Sequence, residues 1–340
     1  MRRRDFIAGL GAVAWPLAAW SQQRASPVVG FIYPGSFDAN TSNVATFRKG
    51  LNESGYVEGQ NMTVEYLWLE GAYDRMPALT ADLVRRRVAV IAIPGSLPAA
   101  LAAKTATSTI PIVFGIAEDP VQFGLAASLA RPGGNATGIN VFTNEVVAKR
   151  LGLLHDLLPK AVRVAVLLNP ANGPSAESTL RAIQQAAPIF GLQIQYLNAT
   201  TIGEIDAAFA TLTREPYDAL FVAPDAFFLS RRVQFATLAT RDRIPATYSQ
   251  REYVAVGGLM SYGTENAEMF YQVGVYTGNI LKGAKPADLP VVQSTRFKFV
   301  INLGTARALD LKVPPQLLAI AERGDRLTDR SRSPAAARTR

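Results

Sequence analysis

The 340-residue sequence contains no cysteine and one histidine, His155. Without thiols there are no disulfides, no thiolate nucleophile, no cysteine-ligated zinc or iron–sulfur centre and no lipid-modified cysteine behind a leader. A single imidazole leaves little for metal or acid–base chemistry, which usually draws on several histidines or on histidine with carboxylates. No metal and no cofactor is expected. The motifs of common chemistries are missing too: no Walker-type loop, no Gly-x-Ser-x-Gly elbow and no His-Glu-x-x-His. Gly35 stands alone after the first predicted strand, where a dinucleotide fold uses three glycines. The reading is a binder and not an enzyme.

Charge of one sign is in excess, at +8, but it is not concentrated in the body of the chain. Arg2, Arg3 and Arg4 against Asp5 account for +2, and six arginines against Glu322, Asp325 and Asp329 account for +3. The +3 left over the body is too little for a polyanion-binding field, so nucleic acid is not an expected partner.

The first residues read as an address. Arg2-Arg3-Arg4-Asp5-Phe6-Ile7 precedes an apolar run from Ala8 to Trp20 and then polar Ser21-Gln22-Gln23. This is a charged segment, a short apolar segment and a small-residue exit, the layout of a bacterial secretory signal. The run is shorter than the ~20 residues of a membrane span and contains Pro16. Arg3-Arg4-Asp5-Phe6-Ile7 is similar to the twin-arginine export motif. Residues 1–21 are therefore expected to be removed on export to the periplasm.

From Val28 onward, short apolar β-rich runs alternate with longer segments of helical period, the pattern of parallel sheets built from βαβ units. The alternation runs from Val28 to Ile116, breaks at Arg131-Pro132-Gly133-Gly134-Asn135, and resumes from Glu145 to Tyr248. The fold class expected is α/β, two doubly wound parallel-sheet lobes joined by a hinge of several crossings. Crossings near Val141, Tyr262 and Ser294 would divide the chain into 27–141 with 264–294 and 142–263 with 295–321. The arginine-, serine- and alanine-rich segment 322–340 lacks apolar periodicity and reads as a disordered tail.

In open parallel sheets, ligands bind beyond the carboxyl ends of strands. That rule selects Tyr33-Pro34-Gly35-Ser36, Pro94-Gly95-Ser96 and Glu118-Asp119-Pro120 in the first lobe. In the second it selects Asn169-Pro170-Ala171-Asn172, Ala223-Pro224-Asp225 and Tyr248-Ser249. Gly95 and Ser96 suit an anion such as a carboxylate, or simply an N-cap. Asp119 and Asp225 suit a ligand ammonium, or again a cap. Tyr33, Tyr253 and Tyr262 suit stacking on a flat ligand, or core packing. His155 ends a helix before Pro159, and Arg231-Arg232 reads as a solvated helix face.

Several ordered runs carry a family resemblance: Met1-Arg2-Arg3-Arg4-Asp5-Phe6-Ile7, Ala130-Arg131-Pro132-Gly133-Gly134-Asn135-Ala136-Thr137-Gly138, Val164 to Asn172, Lys282 to Pro290 and Phe299 to Leu303. Together they resemble the ABC-transporter substrate-binding proteins of the tryptophan/tyrosine type over nearly the whole chain to about Ile320. The resemblance implies a type I periplasmic-binding fold, a monomer that delivers a small-molecule ligand to a membrane permease, and no catalysis. It also implies an amino acid or related carboxylate, held by carboxylate and amine between the lobes. The matching cleft positions are Ser36, Gly95, Ser96, Asp119, Asn169, Asn172, Asp225 and Tyr262. A sensor of the same fold that signals to a membrane receptor is the alternative.

Overall fold

The computed structural model describes residues 26–141, 144–294 and 296–323. The segment expected to be a leader, residues 1–21, and most of the arginine-rich segment lie outside the described residues. The first lobe runs β1 (Val28–Tyr33), α1 (Thr41–Glu53), β2 (Thr63–Trp68), α2 (Met76–Arg85), β3 (Val90–Pro94), α3 (Leu97–Ala106), β4 (Ile112–Ile116) and β5 (Ala136–Asn140). The second runs α4 (Asn144–Leu157), β6 (Arg163–Leu168), α5 (Gly173–Ala186), β7 (Gln193–Asn198), α6 (Ile202–Arg214), β8 (Ala219–Val222), α7 (Ala226–Ser230), α8 (Arg232–Arg241), β9 (Ala246–Tyr248), α9 (Arg251–Ala255) and β10 (Met260–Thr264). The chain then makes α10 (Asn266–Leu281), β11 (Val292–Gln293), β12 (Phe297–Ile301), α11 (Leu303–Ala308), α12 (Pro315–Ile320) and β13 (Glu322–Arg323).

Two sheets result, ordered β2-β1-β3-β4-β5-β11 and β7-β6-β8-β9-β10-β12-β13. Each holds the order 2-1-3-4-5 of a doubly wound fold, parallel throughout except that β12 runs antiparallel to β10. The chain passes between sheets three times: after β5, between β10 and α10, and between β11 and β12. The central strands are apolar along their whole length because helices cover both faces; Val90 to Ile93 and Ile112 to Phe114 are fully buried. At the edge, β7 instead exposes Gln193, Gln195 and Asn198.

Several short elements escape sequence periodicity. β5 follows a turn-rich break and contains Gly138 and Asn140, and β10 reads Met-Ser-Tyr-Gly-Thr, so neither shows an apolar run. Glu322 and Arg323 pair with Val300 and Ile301, so regular structure extends two residues past Ala321. His155 sits in the last turn of α4 with its ring 5.3 Å from that of Phe190.

The helix that returns from the second lobe, α10, is held against α1 by small residues. A Cβ at Gly50 would overlap the Tyr271 carbonyl oxygen, one at Gly274 the Phe47 carbonyl oxygen, and one at Gly278 the Ser54 side chain. The helices therefore touch backbone to backbone, a spacing only glycine permits. Gly50→Ala or Gly274→Ala should force them apart and cost ~1–3 kcal/mol, read as a lowered thermal unfolding midpoint by circular dichroism.

Candidate functional site

Both sheets reverse their winding direction beside their first strand, and the loops at these switch points face one another. Tyr33-Pro34-Gly35 and Pro94-Gly95 end β1 and β3; Asn169-Pro170 and Ala223-Pro224-Asp225 end β6 and β8. Between them lies a cavity of about 870 Å³ of atom-free space, its mouth included. Its apolar wall includes Tyr33, Leu97, Ile116, Val147, Leu229 and Met269; its polar wall includes Glu118, Arg150, Asn172, Ser175, Asp225 and Ser249.

Asp225 organises the second-lobe side. It is the N-cap of α7, accepting from the Phe228 amide at 3.0 Å. Asn169 Nδ2 donates to Oδ1 at 3.1 Å and Asn172 Nδ2 to Oδ2 at 3.0 Å. The fourth donor crosses the lobes: Tyr73 Oη reaches Oδ2 at 2.6 Å. A carboxylate offers about four acceptor positions, so all of them are taken. Burial raises the Asp225 carboxyl above its ordinary range, and the four donors oppose that rise. The Tyr73 hydroxyl is also pushed well above its usual value, by burial first and then by Asp225.

Two ionisable groups on the wall lack such company. Arg150, on α4, is 0 % exposed, and burial pulls its guanidinium down to about 9, still a cation at neutral pH. Nη2 donates to the Val222 carbonyl at 2.9 Å and the guanidinium lies 3.8 Å above the Phe221 ring, while Nε and Nη1 have no partner. Glu118, after β4, is 6 % exposed and lifted above the ordinary carboxylate range by burial. The Ala117 and Glu118 amides and, from the other lobe, the Ser175 hydroxyl, which also lies 3.4 Å from the Pro224 carbonyl, oppose that rise; no cation pairs with it among the described residues. Asn172 Oδ1, three residues from Ser175, is buried without a partner.

The eight residues selected from sequence divide accordingly. Gly95, Asn172 and Asp225 line the cavity, and Asn169 stands behind Asp225. The Ser36 amide donates to Ser230 Oγ at 3.0 Å across the lobes, outside the cavity wall. Ser96 caps α3 by accepting from the Ala99 amide. Asp119 is exposed and accepts from the Val121 and Gln122 amides. Tyr262 packs on the second-lobe core, 6.1 Å from the Phe297 ring. Arg231, expected in a solvated face, is half-buried over Phe227.

Sequence reading passed over Arg150 and Glu118. Arg150 did leave a signal: it falls three residues after Val147 and four before Leu154, a charge inside the apolar stripe of α4. Glu118 lay in a selected segment, one residue from the aspartate chosen.

A carboxyl whose folded-state pKa exceeds its unfolded value adds stability only while protonated; that contribution is complete below the unfolded value and lost as pH rises through the folded one. Glu118, raised from 4.5, is such a group. Glu118→Gln should therefore raise the thermal midpoint of the ligand-free protein at pH 7. The gap to wild type should close as the pH is lowered; equal midpoints at pH 7 would contradict this account.

Comparison with known proteins places this geometry in context. The family model described as ABC transporter substrate binding protein matches residues 28–324. A tyrosine-binding protein of Clostridioides difficile (strain R20291) is 28% identical over 271 residues, 78% of this chain and 76% of that protein. A solved conserved domain protein from Vibrio cholerae is 25% identical with TM-score 0.78, covering 88% of this chain and 99% of the other. The structure of an ABC domain in complex with L-Trp from Streptococcus pneumonia is 24% identical with TM-score 0.77 and the same coverages. The fold is the type I periplasmic-binding fold, and the chain belongs to the ABC transporter substrate binding protein family.

Proposed function

We propose that this chain is an exported solute-binding protein that closes two lobes over an amino acid and presents it to the permease of an ABC importer. The observation that carries this is the placement of one cavity at the switch points of both sheets, walled by side chains from each lobe. A ligand there touches both lobes at once, and only such a ligand favours the closed arrangement over the open one. Residues 27–141 with 264–294 would move against 142–263 with 295–321 about the three crossings. The protein needs no catalytic group for this task, and works as a monomer.

The amino-acid assignment draws on the relatives, one a tyrosine-binding protein and one solved with L-Trp. It also draws on the cavity's mixture of apolar wall and isolated charges. Export to the periplasm draws on the leader at residues 1–21. No helix among the described residues is long and apolar enough to cross a membrane.

A thermal-shift screen of the protein from Gln22 onward against the twenty amino acids should find a stabilising ligand, worth ~2.7 kcal/mol at ~100 times the dissociation constant. No shift with any amino acid would overturn the assignment. Because the Tyr73 hydroxyl is one of the bonds that join the lobes, Tyr73→Phe should reduce the closed population. It should weaken binding about tenfold by titration calorimetry, the cost of one hydrogen bond to a buried charged group.

A further inference from the structure

Of the two carboxylates on the cavity wall among the described residues, Asp225 and Glu118, one has acceptor capacity to spare. Asp225 is saturated by Tyr73, Asn169, Asn172 and the Phe228 amide, so a ligand ammonium would have to displace a bond already made. Asp119 is exposed and holds the turn that follows it. Glu118 has no counter-cation among the described residues, though it is buried at the cavity and faced from both lobes. Asn172 Oδ1 lies three residues from its partner Ser175 and is likewise unpartnered. The amide orientation of Asn172 is set chemically, since its nitrogen is the atom facing the Asp225 carboxylate.

The positive pole belongs to the other lobe. Arg150 keeps Nε and Nη1, which together carry three N–H donors, without partners, and forms no ion pair with a carboxylate among the described residues. A buried guanidinium in that condition is costly, and removing an anion it was meant to meet leaves the same deficit. Stacking on Phe221 offsets part of the cost but satisfies none of these donors. Unpaired guanidinium N–H groups are donors for an oxygen anion, and a carboxylate is such a group.

We propose that the cavity reads a zwitterion by its two poles, Arg150 of the second lobe taking the ligand carboxylate and Glu118 of the first, with Asn172 Oδ1, taking the ammonium. This rests on the amino-acid reading above and sharpens it: both poles must be on one molecule, and losing either leaves a buried charge on a different lobe unmatched. Discrimination then comes from the site's own unsatisfied groups, a penalty larger than the loss of a contact.

The test is titration calorimetry with L-tyrosine and L-tryptophan, their decarboxylated counterparts tyramine and tryptamine, and their deaminated counterparts 3-(4-hydroxyphenyl)propionate and indole-3-propionate. Wild type should bind each half-equipped probe at least ~100-fold more weakly than the parent amino acid. Arg150→Met should weaken the parent at least tenfold while leaving tyramine within about twofold, and Glu118→Gln should weaken the parent equally while leaving the propionate within about twofold.

If wild type binds the half-equipped probes as well as the parent, or if both variants weaken all probes alike, the two-pole assignment is wrong while the amino-acid reading stands. If no amino acid binds, both are wrong. Should Arg150→Met not fold, the wild-type probe series with Glu118→Gln decides.

Discussion

A single buried carboxylate, that of Asp225, joins more of this molecule than any other group on the cavity wall. It caps α7, fixes both asparagines of the Asn-Pro-Ala-Asn loop and receives the Tyr73 hydroxyl from the opposite lobe. Each of these bonds is to a buried charge, so none is exchanged cheaply for water. The consequence is geometric: the loop after β6, the turn after β8 and the segment before α2 are held in one arrangement, and that arrangement defines the cavity between them.

Against this satisfied hub, Arg150 and Glu118 stand out because their needs are unmet. Burying a charge without a partner opposes folding. Two such groups, on two lobes and around one space, are the deficit that the proposed ligand would relieve. In the two-pole proposal the same electrostatics would make closure and binding one event, since a molecule carrying both charges relieves both deficits only when the lobes approach. Apolar residues of the wall, Met269 and Leu97 among them, supply area for the remainder of the ligand.

The mechanical counterpart is α10. It leaves the second lobe immediately after β10 and lies against α1 in the first, backbone to backbone through Gly50 and Gly274, with Gly278 against the Ser54 side chain. Such contact has little slack, because protein interiors respond to added volume with strain and not with flow. In the proposed closure, movement between the lobes would fall to the three short crossings.

How much of this was legible in residues alone follows from which signals are local. Apolar runs such as Val164 to Leu168, helical stripes such as Val44, Phe47 and Leu51, and the turn-rich Arg131 to Asn135 announced two α/β lobes, since periodicity is a property of neighbours in sequence. β5 and β10 were illegible because their burial is supplied by distant strands, not by their own composition. For the site, the strand-end rule brought out Gly95, Asn172 and Asp225 but did not separate a helix cap such as Ser96 from a wall residue. It chose Asp119 over Glu118 because one residue of offset decides which carboxylate turns inward, and that offset depends on how β4 ends. By itself, then, the sequence determined the fold class, the family and the absence of thiol chemistry. Only the tertiary structure decided which charges face the cavity unpaired, because pairing depends on side chains brought together from elements up to about half the chain apart, as Tyr73 is to Asp225.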